Sequence, residues 1–422
     1  MPALPSNYVD ASHENPALSK RLSAIYARKV DKPINLNLEP DQPYLQMLAR
    51  LGNPHTKCPP IIHIAGTNGK GSTLAFLQAM LESAGKSVHK LTSPHLIHFN
   101  ERVVLNGQEI SDDTLIDLLD RIEEVIGDLA VTFFEYTTAL AFLAASERKA
   151  DYLLLETGLG GRFDATNVIQ NPHLTMISSI DMDHMEYLGD TVEKIAFEKA
   201  GILKENSTCI LMPQHHTGVE AVIKDLAQIK GCEVIIAEST YPDHWPEPVL
   251  RGKFQHKNAL LAASAARHLG IDEAHIKQGL QNVKWPGRLD LMGYLDGSTP
   301  LYYDGGHNLQ AAQAIASQIK LWQGEGHDVH AIIGIASNKD SSGYIDTLNK
   351  AASSTTLIDL PSAIAPSRAV EIHERLPKEI KPEIEAGSTL QKAIQDKEGL
   401  ILVCGSLYLY KAIKNLANLA SI

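Results

Sequence analysis

The feature that most constrains this chain is the stretch 60–73, which reads PIIHIAGTNGKGST. An apolar run leads into a glycine-rich turn, and an Ala/Leu-rich segment follows, so the stretch predicts a strand, a loop and a helix. Glycines let backbone N–H groups close around phosphate oxygens, the helix N-terminus adds partial positive charge, and a lysine adds a full charge. A nucleoside triphosphate site is therefore predicted at Gly66, Thr67, Asn68, Gly69, Lys70, Gly71 and Ser72.

The spacing of this stretch differs from the usual P-loop pattern. That pattern has a glycine six residues before the lysine and a serine or threonine directly after it. Here Ile64 takes the first position, and Gly71 separates Lys70 from Ser72. A glycine turn with an unrelated lysine is the simpler interpretation, but the predicted strand before the loop and the helix after it favour a phosphate site.

Composition narrows the class of protein. Of 422 residues, 44% are hydrophobic and 21% are charged, as in soluble globular proteins. No apolar segment approaches the roughly 20 residues of a membrane span, and the first residues lack the pattern of a secretory signal. The net charge of −12 disfavours a nucleic-acid partner but leaves a basic pocket for a small anion possible. We expect a cytoplasmic protein, and four widely spaced cysteines without CxxC spacing are expected to be reduced thiols.

The length and the alternation of patterns predict two domains. A chain of this size exceeds one ordinary core, and Pro286 and Gly287 interrupt the pattern near its last third. We place the domains at residues 1–288 and 289–422. Strand-like runs alternate with helical patterns in both, so the predicted class is α/β. We expect a P-loop-type, mainly parallel sheet in the first domain and a smaller Rossmann-like α/β fold in the second. The strands predicted in the second domain are 301–304, 331–335, 357–360 and 400–404.

Polar side chains follow several predicted strands, where open α/β sheets place their ligands. Ser93, Glu156 and His184 each come after an apolar run. In P-loop enzymes a carboxylate at a strand end holds the Mg²⁺ that bridges the nucleotide phosphates, and Glu156 fits that role. Simpler interpretations are a Ser-Pro turn at Ser93, a solvated glutamate and a structural histidine. Lys199, on a later predicted helix, is by pattern alone an ordinary surface lysine.

Taken together, ordered motifs over most of the chain resemble the folate branch of the Mur-type ligases, the bifunctional dihydrofolate synthase/folylpolyglutamate synthase family. The glycine after Lys70, unusual for P-loops in general, is the form found in this family. The motifs that carry the resemblance are Gly66–Ser72, Ser93–His95, Phe134–Glu135, Leu155–Arg162, Asp183–His184, Glu198–Ile202, His256–Asn258, Gly287–Arg288, Asp304–Asn308 and Lys339–Asp340.

The resemblance implies an ATP-dependent amide ligase. A pterin substrate's carboxylate would take the γ-phosphoryl group of ATP, and the amino group of L-glutamate would attack the resulting acyl phosphate. Dihydropteroate and reduced folates are the implied acceptors of glutamate. A carboxylate needs this activation because its oxygen is a poor leaving group, and the enzyme contributes mainly positioning and electrostatics.

The resemblance also implies roles for single residues around ATP and Mg²⁺. Ser93 and Glu156 would bind a first Mg²⁺, and Glu156 and His184 a second. Lys199 matches a lysine that is carbamylated in the family, a change that turns an ammonium group into an anionic oxygen ligand. Further nucleotide contacts are implied for Asn258, Arg288 and Asp304.

On the substrate side, the resemblance implies a pterin site and a glutamate site. Lys70, Lys199 and His307 are the implied catalytic residues, and His307 and Lys339 would lie where glutamate and the γ-phosphate approach. We also expect a monomer without nucleic-acid or membrane partners. The implied pterin-binding residues are Thr132, Phe134, Glu135, Arg162 and Asp164.

Two departures leave alternatives open. The stretch 34–40 lacks a glycine and an arginine that are common in the family, and Tyr136–Thr137 replaces a more usual Phe-Gly pair. Both differences concern the pterin side, so an enzyme restricted to folate polyglutamylation is one alternative. A cell-wall Mur ligase is another, although those enzymes have Ser or Thr directly after the loop lysine. An alternative from a different class is a P-loop ATPase that couples hydrolysis to partner binding.

Overall fold

The computed structural model describes residues 13–28, 42–295, 297–336, 341–360, 367–387, 389–395 and 397–420. It divides into two compact units. The larger unit comprises Asp10–Val249 and Gln255–Lys284, and the smaller unit comprises Leu250–Phe254 and Trp285–Ile422. The chain thus passes from the larger to the smaller unit between Lys284 and Trp285.

The first part of the chain alternates strands with helices. Its strands are β1 (Ile61–Ala65), β2 (Val88–Leu91), β3 (Val103–Leu105), β4 (Gln108–Glu109), β5 (Tyr152–Glu156), β6 (Leu174–Ile177), β7 (Thr208–Leu211) and β8 (Glu233–Ile236). Its helices are α1 (Pro16–Tyr26), α2 (Pro43–Arg50), α3 (Lys70–Ser83), α4 (Asp112–Ile126), α5 (Phe133–Ser146), α6 (Met185–Leu188), α7 (Val192–Lys199), α8 (Thr217–Lys230), α9 (Phe254–His268) and α10 (Glu273–Asn282).

These eight strands form one sheet in the order β4-β3-β2-β5-β1-β6-β7-β8. The pairs β2–β3 and β3–β4 are antiparallel, and the other neighbours are parallel. Strand β1 lies between β5 and β6, with Ile64 beside Glu156 and Ala65 beside Ile177. All residues of β1 are buried, as expected for a central parallel strand covered on both faces. The loops that follow β1, β5 and β6 therefore leave the sheet at the same edge.

The helix that follows β1 is held closely by α10. Gly279 of α10 faces Met80 of α3, and a Cβ at Gly279 would lie 2.6 Å from the Met80 backbone nitrogen. Only a residue without a side chain permits this approach. Helix α3 is also buried along most of its length, so its N-terminal end has a fixed place at the sheet edge.

The smaller unit contains a second, six-stranded sheet in the order β13-β12-β11-β14-β10-β9. Only β9 is antiparallel to its neighbour. A buried apolar cluster that includes Ile315, Tyr344 and Leu402 packs on the sheet. The elements are β9 (Asp290–Leu295), β10 (Thr299–Asp304), α11 (Leu309–Gly324), β11 (Val329–Ile333), α12 (Ser341–Asn349), β12 (Ser354–Leu357), α13 (Ala369–Arg375), β13 (Ile384–Ala386), α14 (Leu390–Ile394), β14 (Leu400–Cys404) and α15 (Tyr410–Ala420).

The predicted α/β class, with a large and mainly parallel sheet plus a second α/β sheet, is confirmed. Strands β3, β4, β9 and β13 were not expected from the sequence. Within the part of the chain that the structure describes, no helix has both the length and the apolar character needed to cross a membrane.

Candidate active site

The loop between β1 and α3 is held by the segment that follows β6. The Thr67 N–H donates to the Ser179 carbonyl at 2.7 Å. The hydroxyls of Ser178 and Ser179 both donate to the Asn68 carbonyl, at 2.8 and 3.2 Å. Thr67 Oγ1 donates to the Asp181 carbonyl and accepts from the Asp181 N–H, each at 3.1 Å. The loop is therefore fixed before any ligand binds.

Helix α3 begins at this loop in a way that favours an anion. Gly69 is the N-cap and has a φ of +87°, which is the left-handed region that favours glycine. The Thr73 N–H donates the first intrahelical hydrogen bond, to the Gly69 carbonyl at 2.8 Å. The N–H groups of the preceding helical residues therefore have no carbonyl partner within the helix. Together with the helix dipole, they form a site suited to phosphate oxygens.

Two lysines meet at one backbone carbonyl of the loop. Lys70 Nζ donates to the Gly66 carbonyl at 3.1 Å and to the Thr67 carbonyl at 3.3 Å. Lys199 Nζ donates to the same Gly66 carbonyl at 2.8 Å. Lys199 is 4% exposed, so it is not the solvated surface residue that its helical position alone suggested. Burial, followed by the nearby charge of Lys70, lowers the pKa of Lys199 from 10.5 to about 7.

Of the predicted metal ligands, Ser93 and Glu156 lie together. The Ser93 N–H donates to Glu156 Oε2 at 3.3 Å, and Glu156 is almost fully buried at the end of β5. The next residue, Thr157, donates its N–H to the Ile64 carbonyl at 3.0 Å, which ties this strand end to the nucleotide loop. Predicted ligands from two strands therefore meet beside the loop.

His184 lies in the segment that follows β6. Its backbone has a φ of +47°, and its N–H donates to Asp183 Oδ1 at 3.0 Å. The imidazole is partly exposed, with 40% of the side-chain surface accessible. Part of the His184 imidazole is therefore accessible to a ligand.

The donor set around Glu156 suits a magnesium ion carried by a nucleotide. In the described ranges, no group of three or more His, Cys, Asp or Glu side chains could hold a metal ion. Magnesium is commonly bound by one or two protein oxygens, with substrate phosphates and waters completing the octahedron. The hydroxyl of Ser93 and the carboxylate of Glu156 supply such oxygens, so the residues present fit this ion.

A glycine-rich loop after β5 is organised by Asp164. Its Oδ2 accepts the N–H groups of Gly158 and Leu159 at 3.0 and 2.8 Å. Its Oδ1 accepts the N–H and the hydroxyl of Thr166 at 3.0 and 2.5 Å. Burial raises the pKa of Asp164, and these hydrogen bonds oppose that shift. Both carboxylate oxygens are therefore engaged in shaping the loop. The resemblance implied a pterin-binding role for Asp164, which stays a prediction.

Residues behind this loop continue the network. His63, fully buried in β1, has its Nε2 2.8 Å from Thr166 Oγ1. Burial lowers the pKa of His63 to about 3, so its imidazole is neutral at physiological pH. The Tyr44 hydroxyl donates to the Ala165 carbonyl at 3.0 Å. The loop is thus anchored to the central strand on one side and to α2 on another.

The start of α5 forms a second wall near this loop. Thr132 Oγ1 accepts the Glu135 N–H at 3.2 Å, and Glu135 Oε2 accepts the Thr132 N–H at 2.6 Å. This reciprocal pair is a capping box, which stabilises the helix start. Between the two residues, the Phe134 ring lies directly against Gly158. Of the three predicted pterin residues here, Phe134 presents an aromatic ring, and the other two hold the helix that carries it.

Arg162 presents a guanidinium group at the surface of the same loop. It forms an ion pair with Glu198 Oε1 at 3.1 Å, and 40% of its side-chain surface is exposed. Its guanidinium carbon lies 4.0 Å from the centre of the Phe163 ring and 5.0 Å from that of Phe197. Stacking on two rings fixes the orientation of the group while leaving part of it accessible to an anionic or aromatic ligand.

Asn258, on α9, lies beside the N-terminus of α3. A Cβ at Gly69 would lie 2.3 Å from Asn258 Oδ1, so the amide packs directly on the N-cap. The Asn258 Nδ2 donates to Gln255 Oε1 at 2.9 Å. Asn258 was predicted from the resemblance, whereas Gln255 was not singled out. The i, i+3 spacing of two amide side chains on a helix is the only signal in the sequence that points to it.

In the smaller unit, Asp304 ends β10 and organises the turn that follows. Its oxygens accept the Leu289 N–H at 3.0 Å and the Gly306 N–H at 2.7 Å. Burial raises the pKa of Asp304, and the nearby charge of Arg288 opposes that shift. His307 lies on the same turn, with its Nδ1 3.1 Å from the Gly305 carbonyl.

Three of the predicted residues of this unit are thus neighbours: Arg288, Asp304 and His307 all border the turn after β10. A Cβ at Gly305 would lie 2.8 Å from Arg288 Nη1, so the guanidinium packs on that turn. Lys339 and the stretch 34–40 lie outside the described residues.

The arrangement in the larger unit, with a phosphate-binding loop, two lysines and an acidic strand end, is that of a nucleotide-dependent enzyme. Comparison with known proteins is consistent with this. A family model described as the Mur ligase middle domain matches residues 64–240. The dihydrofolate synthase/folylpolyglutamate synthase of Bacillus subtilis is 34% identical over 407 residues, which cover 87% of this chain and 93% of the relative.

The chain belongs to the dihydrofolate synthase/folylpolyglutamate synthase family. It is therefore an ATP-dependent ligase of the Mur ligase family, as the resemblance implied. The Escherichia coli member is 32% identical over 302 residues, covering 68% of this chain and 70% of that relative.

Solved structures of the family have the same fold. Escherichia coli FolC in complex with DHPP and ADP has a TM-score of 0.81 and 27% identity, and the match covers 93% of this chain and 99% of that one. The Yersinia pestis bifunctional enzyme, complexed with AMPPNP and a Mn ion, has a TM-score of 0.82 and 27% identity, and the match covers 96% and 98% of the two chains. The two-sheet architecture is thus that of the family.

The role of Asp164 in the loop gives a testable prediction. Asp164→Ala removes the acceptor of the buried Thr166 N–H and hydroxyl and of the partly buried Gly158 and Leu159 N–H groups. We expect it to lower the free energy of unfolding by about 2 kcal/mol or more. Asp164→Asn keeps one acceptor oxygen and should cost less. Urea unfolding followed by circular dichroism measures both. Asp190→Ala, at a carboxylate on the surface, is the control and should change stability little. Equal stability of wild type and Asp164→Ala would contradict this role.

Proposed function

We propose that this protein joins L-glutamate to dihydropteroate, giving dihydrofolate, and to reduced folates, extending their glutamate chains. The observation that carries the proposal is the convergence of Lys70 and Lys199 on the Gly66 carbonyl, beside the N-terminus of α3. The charge of Lys70, together with the N-terminus of α3, suits a polyphosphate. The names of the Bacillus subtilis and Escherichia coli relatives, each a dihydrofolate synthase/folylpolyglutamate synthase, support both activities.

The proposed reaction has two steps. In the first, a carboxylate oxygen of the folate precursor attacks the γ-phosphorus of ATP, and the bond to the β–γ bridging oxygen breaks, releasing ADP. In the second, the glutamate amine attacks the acyl carbon, the carbon–oxygen bond to phosphate breaks, and the nitrogen loses its proton. Two anions must approach each other in the first step, so neutralisation of charge and alignment of the reacting atoms carry most of the catalysis.

We assign the nucleotide to the loop Gly66–Ser72, with Asn258 beside it. Arg288 and Asp304 are further proposed nucleotide contacts. Lys70 neutralises charge on the phosphates, and the free N–H groups at the start of α3 bind their oxygens. The support for Asn258 is its contact with the N-cap residue Gly69. Asp304 and Arg288 are supported by their positions at the turn after β10, a strand end of the kind that binds ligands in α/β sheets.

Two Mg²⁺ sites are proposed next to the phosphates. Ser93 and Glu156 would hold the first ion, and Glu156 and His184 would hold the second. Bound Mg²⁺ would neutralise charge that develops on the transferred phosphoryl group. The support is the proximity of Ser93 to Glu156 at the strand end tied to the nucleotide loop.

Lys199 is proposed to be carbamylated. The unprotonated amine would attack the carbon of CO₂, forming an N–C bond and releasing one proton to solvent. This reaction needs a neutral amine, and a pKa of about 7 leaves much of Lys199 neutral at physiological pH. The product carries a negative charge, which would relieve the repulsion from Lys70 and suit a hard cation.

On the pterin side, Phe134 and Arg162 are proposed as direct contacts. Phe134 offers a ring on which a pterin can stack, and Arg162 offers an accessible guanidinium group. Thr132, Glu135 and Asp164 act by holding the loop and the helix that carry those groups.

We propose that glutamate and the γ-phosphate approach His307 and Lys339 during the reaction. We also propose that the enzyme acts in the cytoplasm, because the four cysteines are free thiols, as expected in a reducing compartment. A monomeric state stays a prediction.

The central test measures phosphate release by the full-length protein with ATP and Mg²⁺. We expect release to require both L-glutamate and a folate-type acceptor, either dihydropteroate or tetrahydrofolate. Lys70→Ala should reduce the rate about 100-fold or more, because it removes a full charge from the phosphate site.

Three other outcomes are informative. Release without glutamate or an acceptor would contradict the ligase and favour an ATPase switch. Release with tetrahydrofolate but not with dihydropteroate would restrict the enzyme to polyglutamylation. An unchanged rate in Lys70→Ala would remove the loop from the mechanism.

Lys199→Ala tests the carbamate. We expect the substitution to abolish most activity and short-chain carboxylates to restore part of it, since they can supply the missing anionic oxygens. Lys194→Ala, at an exposed lysine on the same helix, is the control and should need no carboxylate. Full activity of Lys199→Ala without added carboxylate would contradict the assignment.

A further inference from the structure

The first turn of α9 contains a buried pair of amide side chains beside the nucleotide loop. Asn258 is 6% exposed, and Gln255, one turn earlier on the same helix, is fully buried. The Asn258 Nδ2 donates to Gln255 Oε1 at 2.9 Å, and Asn258 Oδ1 packs against Gly69. Asn258 is thus held between Gln255 on one side and the N-cap of α3 on the other.

In the structure, this hydrogen bond holds the Asn258 amide in one orientation. A free asparagine amide can rotate by half a turn about its last torsion and exchange its oxygen with its nitrogen. With Gln255 Oε1 as acceptor, the nitrogen must face Gln255 and the oxygen must face Gly69. A ligand that binds at the start of α3 therefore meets a defined arrangement of donor and acceptor.

Packing alone does not account for a glutamine at this position. Gln255 Nε2 is buried and has no hydrogen-bond partner within the described parts of the chain. Burying half of an amide without a partner is unfavourable, and a methionine of similar size would fill the same space without that cost. The glutamine is explained instead by what its oxygen does for Asn258.

The turn that carries the pair is itself held in place. The ring of His256 stacks on Tyr241 with a centroid distance of 4.2 Å, and His256 Nε2 lies 2.9 Å from Glu247 Oε2. Motion of the backbone next to Gln255 is therefore restricted, and the hydrogen bond to Gln255 limits the motion of the Asn258 side chain.

We propose that Gln255 is a positioning residue for the nucleotide: it acts through Asn258 by fixing the orientation of that amide next to the phosphate-binding loop. This inference rests on the nucleotide role of Asn258 proposed above. Gln255 need not contact the nucleotide, so its loss affects ATP binding and leaves the chemical step intact.

The test compares wild type, Gln255→Met, Asn258→Ala and the double variant as full-length proteins. Binding of ADP with Mg²⁺ is measured by calorimetry, and KM for ATP and kcat by phosphate release. We expect Gln255→Met to weaken ADP binding and raise KM for ATP about 3- to 10-fold, which corresponds to one hydrogen bond. We expect kcat, KM for glutamate and the melting temperature to stay near wild type. Gln278→Met, at an exposed glutamine of α10, is the control and should match wild type in all of these.

The double variant decides whether Gln255 acts through Asn258. If it does, Gln255→Met has no further effect on ADP binding when Asn258 is already alanine. An equal loss in both backgrounds would overturn the positioning role, and so would ADP binding of wild-type strength in Gln255→Met. If Gln255→Met does not fold, Gln255→Leu carries the same comparison. Failure of wild type to bind ADP would instead overturn the proposed function, so the two failures are distinct.

Discussion

The candidate site depends on one electrostatic constraint, the meeting of Lys70 and Lys199 at the Gly66 carbonyl. Two ammonium groups this close repel each other, and burial makes the charged form of Lys199 more costly still. Because its pKa is lowered, Lys199 loses its proton at a lower pH in the folded state than in the unfolded state. For this group, the unfolded state binds more protons than the folded state between about pH 7 and 10.5, so stability rises with pH over that range. Bound phosphate, or an anionic modification of Lys199, would relieve the same repulsion.

The rest of the larger unit keeps this arrangement rigid. The segment after β6 holds the nucleotide loop through Ser178, Ser179 and Asp181, and α10 packs closely on α3. Asp164 holds the loop after β5, and its partner Thr166 in turn contacts His63 of β1. Because these supports are buried or partly buried, the two loops present their groups in fixed positions. The groups left accessible, Arg162 among them, are the ones available to substrates.

Much of this could be predicted from the sequence, because the strong signals are local. A strand, a glycine loop and a helix follow each other directly at residues 60–83, and Glu156 directly ends an apolar run. Strands β3 and β13 have only three residues each, too few for a recognisable pattern. The hydrogen bonds of Asp164 to the backbone, and those between Thr132 and Glu135, depend on side-chain orientation in the folded protein. The sequence does not show that orientation. Gln255 was missed for the same reason, since its importance comes from a contact and not from a motif.

The lowered proton affinity of Lys199 in the folded protein can be measured directly. Protein labelled with ¹³C at the lysine ε-carbons is titrated by NMR in CO₂-free buffer, and the Lys199 signal is identified by its loss in Lys199→Met. We expect a titration midpoint for Lys199 near pH 7, far below those of the surface lysines. A midpoint near the ordinary value of 10.5 would contradict it.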